Sequence, residues 1–460
     1  MTSIILLSVF GIVNLFVGFM KSRKILMPLA LLFLVVVFGV NLLSWNETQS
    51  YFNNMLTMDN YAVAFTGIMT LTTLLLLPFS QRYVDENDSN LAEYYSLLLF
   101  SLVGAIMMVS YENMIMLFVG IEILSVAMYV LAGSDKKSLR SNEAALKYLL
   151  MGAFFTGILL FGIVLIYGAT GTFNITEIGA AQIATDGVMS SMFTLGLLML
   201  IIGISFKISA APFHFWTPDV YEGAPTFFTA FMSTVVKTAG VAAFFKLMTA
   251  AFAASYAIWF PTLIAITVLT LVVGNIGAVV QGSAKRMLAY SSISHAGYLL
   301  MSLIAFNENS DSSILFYSVA YSTATVAAFG ILQMVAHQRG GEEYATFNGL
   351  GKTNPLLAFA MTVSMLSLAG IPLTAGFFAK FFVFTAVAQD PSLMWLIVVA
   401  VVLAAVGIYY YLRVVIAMYM QPAGNYETIR VGSFASFMLI FITILTILLG
   451  IAPALVSNII

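Results

Sequence analysis

Apolar runs of about 20 residues recur from one end of the chain to the other, with little between them. At 1.5 Å per residue, such a run crosses a hydrocarbon core about 30 Å thick. In that medium every backbone N–H and C=O needs a partner within the protein, so a chain of this kind folds as membrane-spanning helices. The runs fall at 3–20, 25–44, 60–79, 94–110, 113–132, 144–168, 188–222, 225–249, 256–280, 285–306, 312–337, 354–387, 393–420 and 432–457, about fourteen spans. Of the 460 residues, 61% are hydrophobic and 8% charged, against about a quarter charged in a soluble domain. The sequence reads as an all-α polytopic membrane protein embedded in a lipid bilayer, with no soluble domain outside the spans.

The same composition excludes several function classes. A net charge of −2 gives no reason to expect nucleic acid or another polyanion as partner. With no cysteine, the chain can form neither disulfides nor cysteine-held iron–sulfur clusters. Neither G-x-x-x-x-G-K-[ST] nor G-x-G-x-x-G occurs, and three histidines with one mid-span acid make no metal site, so no cofactor is expected in this chain. The N-terminal run has no basic segment before it and no small-residue cleavage site, which reads as a retained first helix.

Basic residues give the orientation, because loops facing the cytoplasm retain them. With both termini outside, Lys21, Arg23, Lys24, Arg82, Lys136, Lys137, Arg140, Lys285, Arg286, Arg339, Lys352 and Arg430 fall on the cytoplasmic side, twelve of the 18 Lys and Arg. The outward loops "SWNETQSYFNNMLTMD", "GTFNITEIGAAQIATD" and "FNENSDSS" hold acids and no Lys or Arg. Lys147, Lys207, Lys237, Lys246, Lys380 and Arg413 remain inside spans. A basic residue at a helix centre costs about 2.5–3.5 kcal/mol on insertion scales, so each needs a reason.

Two segments, 190–222 and 354–386, are too long for one straight crossing. Each contains a break: "SAAPFHFW" around Pro212, and "LAGIPLTAGFFAK", where Gly370, Pro372 and Gly376 interrupt the helix. Irregular backbone at membrane depth survives only against protein or a wet cavity, so both breaks mark polar interior sites. The broken spans are the seventh and the twelfth. A five-helix unit at 94–249 therefore recurs, inverted, at 250–420, flanked by three helices in 1–93 and one in 421–460. Gly152, Gly157 and Gly162 on the sixth span indicate close helix packing.

Glu122, in "FVGIEILSVAMY", is the only acid at the centre of a span and needs a buried cation as partner, with Lys207 the leading candidate. Lys207 precedes the first break, Lys237 sits mid-span in "STVVKTAGV", and Lys380 follows the second break. A buried ammonium loses hydration, so a lysine in such a place can exchange protons near neutrality. His214 and His295 have the intrinsic basicity to relay protons between such lysines, and a satisfied interior histidine is the competing reading for each. For Lys147, at the start of the sixth span, interfacial snorkelling competes with a relay role. Lys246, Arg413 and His337 lie near span ends and read as structural or solvated groups.

The stretches "SNEAALKYLLMGAFFTGILLFGIVLIYGATGT", "FKISAAPFHFWTPDVYEGAPT", "KRMLAYSSISHAGY" and "GIPLTAGFFAKFFVF" together resemble the subunit N family of bacterial respiratory complex I, the NADH–quinone oxidoreductase. The resemblance implies fourteen transmembrane helices, two inverted five-helix repeats and broken helices seven and twelve. It further implies proton translocation through Glu122, Lys207, Lys237 and Lys380, with Lys147 also involved. NADH, flavin, iron–sulfur clusters and quinone would belong to other subunits. Implied partners are the other membrane-arm subunits, including the antiporter-like subunit M and the small K and J subunits, in the bacterial inner membrane. Phe227 departs from the "APTP" common after the seventh helix and changes no titratable group. A subunit of a multi-subunit cation/proton antiporter is the alternative. A purely structural scaffold would leave the four central charges unexplained.

Overall fold

The computed structural model describes every residue except 21–22, 82–89, 185–189, 425, 458 and 460. Lys21 and Arg82 therefore lie outside the described residues. The helices are α1 (Thr2–Val17), α2 (Leu26–Leu43), α3 (Asn60–Leu76), α4 (Leu91–Ser110), α5 (Met114–Ala132), α6 (Leu139–Thr170), α7 (Ile175–Ala184), α8 (Ser191–Lys207) and α9 (Trp216–Gly223). They continue as α10 (Thr226–Ala250), α11 (Tyr256–Val279), α12 (Ala284–Ala305), α13 (Ser310–Arg339), α14 (Pro355–Ala369), α15 (Ala375–Val387), α16 (Met394–Met420) and α17 (Ser433–Ile451). Among the described residues, eleven helical stretches are long and apolar enough to cross a membrane, and four apolar helices are shorter. The short ones are α1, α8 and the pair α14 and α15. Counting α8 with α9 and α14 with α15 as broken spans accounts for every apolar run of the sequence.

The least apolar spans are the most enclosed. The apolar window of α10 is 100% buried and those of α12 and α13 94%, whereas α6 and α16 bury 28%. Spans carrying serine, tyrosine and lysine need protein around them, while α6 and α16 expose Leu146, Phe154, Phe161, Val398 and Val402 as a lipid-facing rim. Gly162 of α6 and Gly196 of α8 meet at such close range that a Cβ on Gly162 would lie 2.9 Å from the Gly196 carbonyl oxygen. A Cβ on Gly152 would strike Tyr129, but Gly157 faces open space, so close packing explains two of those three glycines.

The structure adds three local features to the expected helical fold. The outward loop at 45–60 contains a β-hairpin, β1 (Gln49–Tyr51) against β2 (Leu56–Met58), in a chain otherwise read as all-α. Its turn uses left-handed backbone at Phe52, Asn53 and Asn54, a conformation asparagine tolerates. The loop "GTFNITEIGAAQIATD" holds α7, whose start is capped by Asn174 Oδ1 accepting from the N–H groups of Thr176 and Glu177. The asparagine cap followed three residues later by glutamate was the unused signal. The sixth span begins earlier than 144, because the Ser138 hydroxyl caps it by accepting from the Ser141 N–H. Lys147 thus stands two turns inside α6.

Candidate functional site

At the first break the backbone groups released by the end of α8 are taken up by protein. Trp216 Nε1 donates to the Phe206 carbonyl at 3.1 Å, Ala210 N–H to the Ser205 carbonyl at 2.8 Å, and Ala211 N–H to Thr270 Oγ1 at 2.8 Å. The Trp216 ring is fixed by stacking on Tyr148, centroids 4.5 Å apart. The last residue of α8, Lys207, is 5% exposed, and its Nζ donates to Ser125 Oγ at 2.7 Å. Ser125 in turn donates to the Ile121 carbonyl within α5. Glu122 lies three residues before Ser125, on the same side of α5. Its buried Oε1 has no hydrogen-bond partner among the described residues. The direct Glu122–Lys207 pair expected from the sequence is therefore replaced by a hydroxyl contact, because Ser125 presents a nearer acceptor.

Lys237 follows a π-turn at Met232–Val236, where one extra residue widens α10. Its Nζ donates to Ser292 Oγ at 2.6 Å and also to the Ser292 carbonyl, both on α12. One turn further, Gly240 leaves room for the first break: a Cβ there would come 2.8 Å from Ile208 Cγ2 and 3.8 Å from Lys207 Cγ. The stem of Lys207 thus passes against α10 about a turn from Lys237. Ser233 links Ser292, at 3.3 Å, to the Tyr321 hydroxyl, at 2.6 Å.

From Ser292 the polar string continues along α12. His295 is buried, with Nδ1 2.6 Å from the Tyr317 hydroxyl and Nε2 3.1 Å from the Tyr411 hydroxyl, and Ser291 shares Tyr411 at 2.5 Å. Lys380 lies over the Tyr298 ring at 4.9 Å, and that ring packs beside His295 with centroids 6.2 Å apart. Lys380 Nζ also donates to the carbonyls of Ala369, at 2.7 Å, and Leu368, at 3.2 Å. It thereby caps the end of α14. Gly370 makes this fold-back possible: its φ is +86°, and a Cβ on it would press within 2.8 Å of Lys380 Cδ. Gly376, expected to interrupt the helix, instead lies inside α15, where its missing side chain lets the helix approach the Ser367 carbonyl.

The structure thus brings together Glu122, Lys207, Lys237, His295 and Lys380. It separates the other two candidates. Lys147, with 34% of its side chain exposed, pairs with Asp219 at 2.7 Å and Glu143 at 2.8 Å, at the end of the molecule that carries the basic loops. His214 stands half-buried in the first break, its ring against Phe215, with no contact to a lysine among the described residues. The sequence reading passed over Ser125, Ser233, Ser292, Tyr317, Tyr321 and Tyr411. Their signal was present: "SSIS" and the Tyr317/Tyr321 pair set hydroxyls one turn apart in mid-span, where apolar side chains are the rule. Lys285 and Arg286, read as loop charges, tie α9 to α12: Lys285 donates to the Glu222 and Ala224 carbonyls and pairs with Glu342, and Arg286 pairs with Asp219 and Glu222. Lys246 pairs with Glu112 at 2.9 Å and Arg413 donates to the Val279 and Gln281 carbonyls.

This geometry has close counterparts. The sequence profile of the NADH:quinone oxidoreductase/Mrp antiporter transmembrane family matches residues 112–407. NADH-quinone oxidoreductase subunit N of Cytophaga hutchinsonii is 41% identical over 454 residues, covering 98% of each chain. The subunit of the same name from Flavobacterium johnsoniae is 39% identical over 472 residues, covering 100% of this chain and 99% of its own. A chain of respiratory complex I from Thermus thermophilus superposes with a TM-score of 0.83 at 31% identity, covering 99% of this chain and 98% of its own. A chain of the Mrp complex from Dietzia shares the fold, with a TM-score of 0.86 at 20% identity, covering 100% of this chain and 96% of its own. The polytopic helical fold, the two broken spans and the full-length likeness agree, and the chain belongs to the NADH:quinone oxidoreductase/Mrp antiporter transmembrane family, on its NADH-quinone oxidoreductase subunit N branch.

Proposed function

We propose that this chain is the proton-translocating, antiporter-like subunit of a membrane-bound NADH–quinone oxidoreductase, and that it moves protons through Glu122, Lys207, Lys237, His295 and Lys380. The observation that supports the reading best is the string of side chains itself. Three hydrogen-bonded clusters, Ser125 with Lys207, Lys237 with Ser292, Ser233 and Tyr321, and His295 with Tyr317, Tyr411 and Ser291, lie in succession through helices that are otherwise apolar and enclosed. The chemistry is proton transfer between positioned groups, without covalent catalysis. The energy comes from quinone reduction elsewhere in the complex, where NADH, flavin and iron–sulfur clusters would reside. A carboxylate near Lys207 makes that lysine the adjustable member of the string, because the charge of Glu122 favours the ammonium and its removal favours the free amine.

The partners on this reading are the neighbouring membrane-arm subunits, among them the antiporter-like subunit M and the small K and J subunits. The complex sits in the bacterial inner membrane with both termini of this chain on the outer side. Residues 94–249 and 250–420 would form the two inverted five-helix units, with 1–93 and 421–460 as flanking helices. Lys147 and His214 receive no relay role, since neither touches the string. A subunit of a cation/proton antiporter is the other reading; full-length identity to subunit N favours the first. The test is Lys237→Ala in the intact complex, reconstituted in sealed vesicles. NADH-driven proton uptake should fall roughly 100-fold or more at normal complex abundance. An unchanged proton-to-electron ratio in the assembled variant would overturn the proposal.

A further inference from the structure

Helix α5 offers Lys207 two acceptors less than a turn apart, and the lysine is seated on the uncharged one. Its Nζ lies 2.7 Å from Ser125 Oγ, while Glu122 keeps a buried Oε1 with no hydrogen-bond partner among the described residues. The hydroxyl proton of Ser125 is committed to the Ile121 carbonyl, so toward the lysine Ser125 can only accept. Residues three apart on a helix face the same way, about 5–6 Å from one another, so an amine at the end of a flexible four-carbon stem reaches either with a small swing. The elements around it leave that swing open. Gly240 of α10 has no side chain against the stem of Lys207, and the ring of Tyr148 on α6 lies 6.0 Å from Nζ.

We propose that Ser125 is a positioning residue for proton transfer: a neutral seat that holds Lys207 off Glu122, so that the ion pair is open while the lysine faces the path to Lys237. The alternative seat on Glu122 closes the pair and withdraws the lysine from the path. The inference rests on the proton-translocating reading given above. It deepens that reading by naming what competes with the carboxylate. Ser125 itself gains and loses no proton. Without its hydroxyl, nothing within reach on α5 rivals a buried carboxylate for an ammonium, and the lysine stays on Glu122. A hydrogen bond to a charged group shifts an equilibrium roughly ten- to a hundredfold, and the occupancy of the open seat should fall by that factor.

The experiment compares Ser125→Ala, Ser125→Thr and Lys207→Ala in the assembled complex, with complex abundance, NADH oxidation and proton uptake measured in the same vesicles. Ser125→Ala should slow coupled proton uptake at least tenfold at normal abundance, and Ser125→Thr, which keeps the hydroxyl, should restore it. In a Glu122→Gln background, removing Ser125 should add no further loss, because no charged seat remains to capture the lysine. Wild-type pumping in assembled Ser125→Ala, failure of threonine to restore it, or a full additional loss in the Glu122→Gln background would each overturn the seat. Wild-type pumping in Lys207→Ala would instead remove the proton path through Lys207. If the alanine variant does not assemble, the threonine variant and the abundance measurement still decide between lost packing and a lost hydroxyl.

Discussion

The two breaks solve the same problem in opposite ways. At the first, the carbonyl freed at the end of α8 is satisfied by Trp216, and Lys207 is left to contact a hydroxyl beside a carboxylate. At the second, Lys380 itself satisfies the carbonyls of Leu368 and Ala369, and no acid pairs with it among the described residues. The string between them, through Ser292 and His295, holds hydroxyls and an imidazole but no carboxylate. The lysine at the first break is therefore free of structural duty and can answer a change in Glu122. The lysine at the second break is part of the architecture, so any proton it carries is exchanged from a fixed seat at the negative end of a helix.

The comparison breaks most sharply with alanine at both positions. Lys207→Ala and Lys380→Ala should each depress proton pumping about 100-fold, but only Lys380→Ala should also destabilise the fold. It leaves two buried carbonyls without their donor, at about 1–3 kcal/mol each. Thermal unfolding of the purified complex, read beside pumping, checks this; equal stability of the two variants would remove the distinction. A middle-sized effect is expected in the carboxylate-free string. Tyr411→Phe removes the hydroxyl shared by Ser291 and His295 and should slow pumping by about tenfold, whereas Tyr409→Phe, exposed on the outer face of the same helix, should stay within about twofold. Vesicle pumping assays on both variants decide it.

The smallest effect concerns the rim. Lys147→Ala removes a half-exposed pair with Asp219 and Glu143, whose worth is about 0–1 kcal/mol. Pumping should stay within about twofold of wild type and stability should barely change. A tenfold loss would place Lys147 on the path and dissolve the contrast between path and rim.

The spans, the two breaks and the central charges were legible in the sequence because each is a violation of one strong rule. Lipid excludes charge and unsatisfied backbone, so Glu122, Lys207, Lys237, Lys380 and the prolines stand out. What connects them was not legible. Ser125, Ser292 and Tyr411 bend the rule only weakly and name no partner, since a serine can satisfy itself on its own helix and a tyrosine packs as an aromatic ring. Only the packing of α5 on α8, and of α10 and α16 on α12, turns them into partners. The Glu122–Lys207 pair was inferred from opposite charge alone. Opposite charge says nothing of a neutral acceptor three residues away on the same face.

The π-turn of α10 also bears on how this chain tolerates change in length. A regular helix advances 100° per residue, so losing one residue rotates everything beyond it by that angle. Between Met232 and Val236 the helix already carries one residue more than a regular turn needs. A single deletion there can heal into an unbroken α-helix, with Thr226 and Lys237 both keeping their bearings. A deletion a few residues later, between Gly240 and Phe245, would instead swing Lys246 away from Glu112. Over that short interval the gene is free to lose a codon without losing the aim of the central lysine.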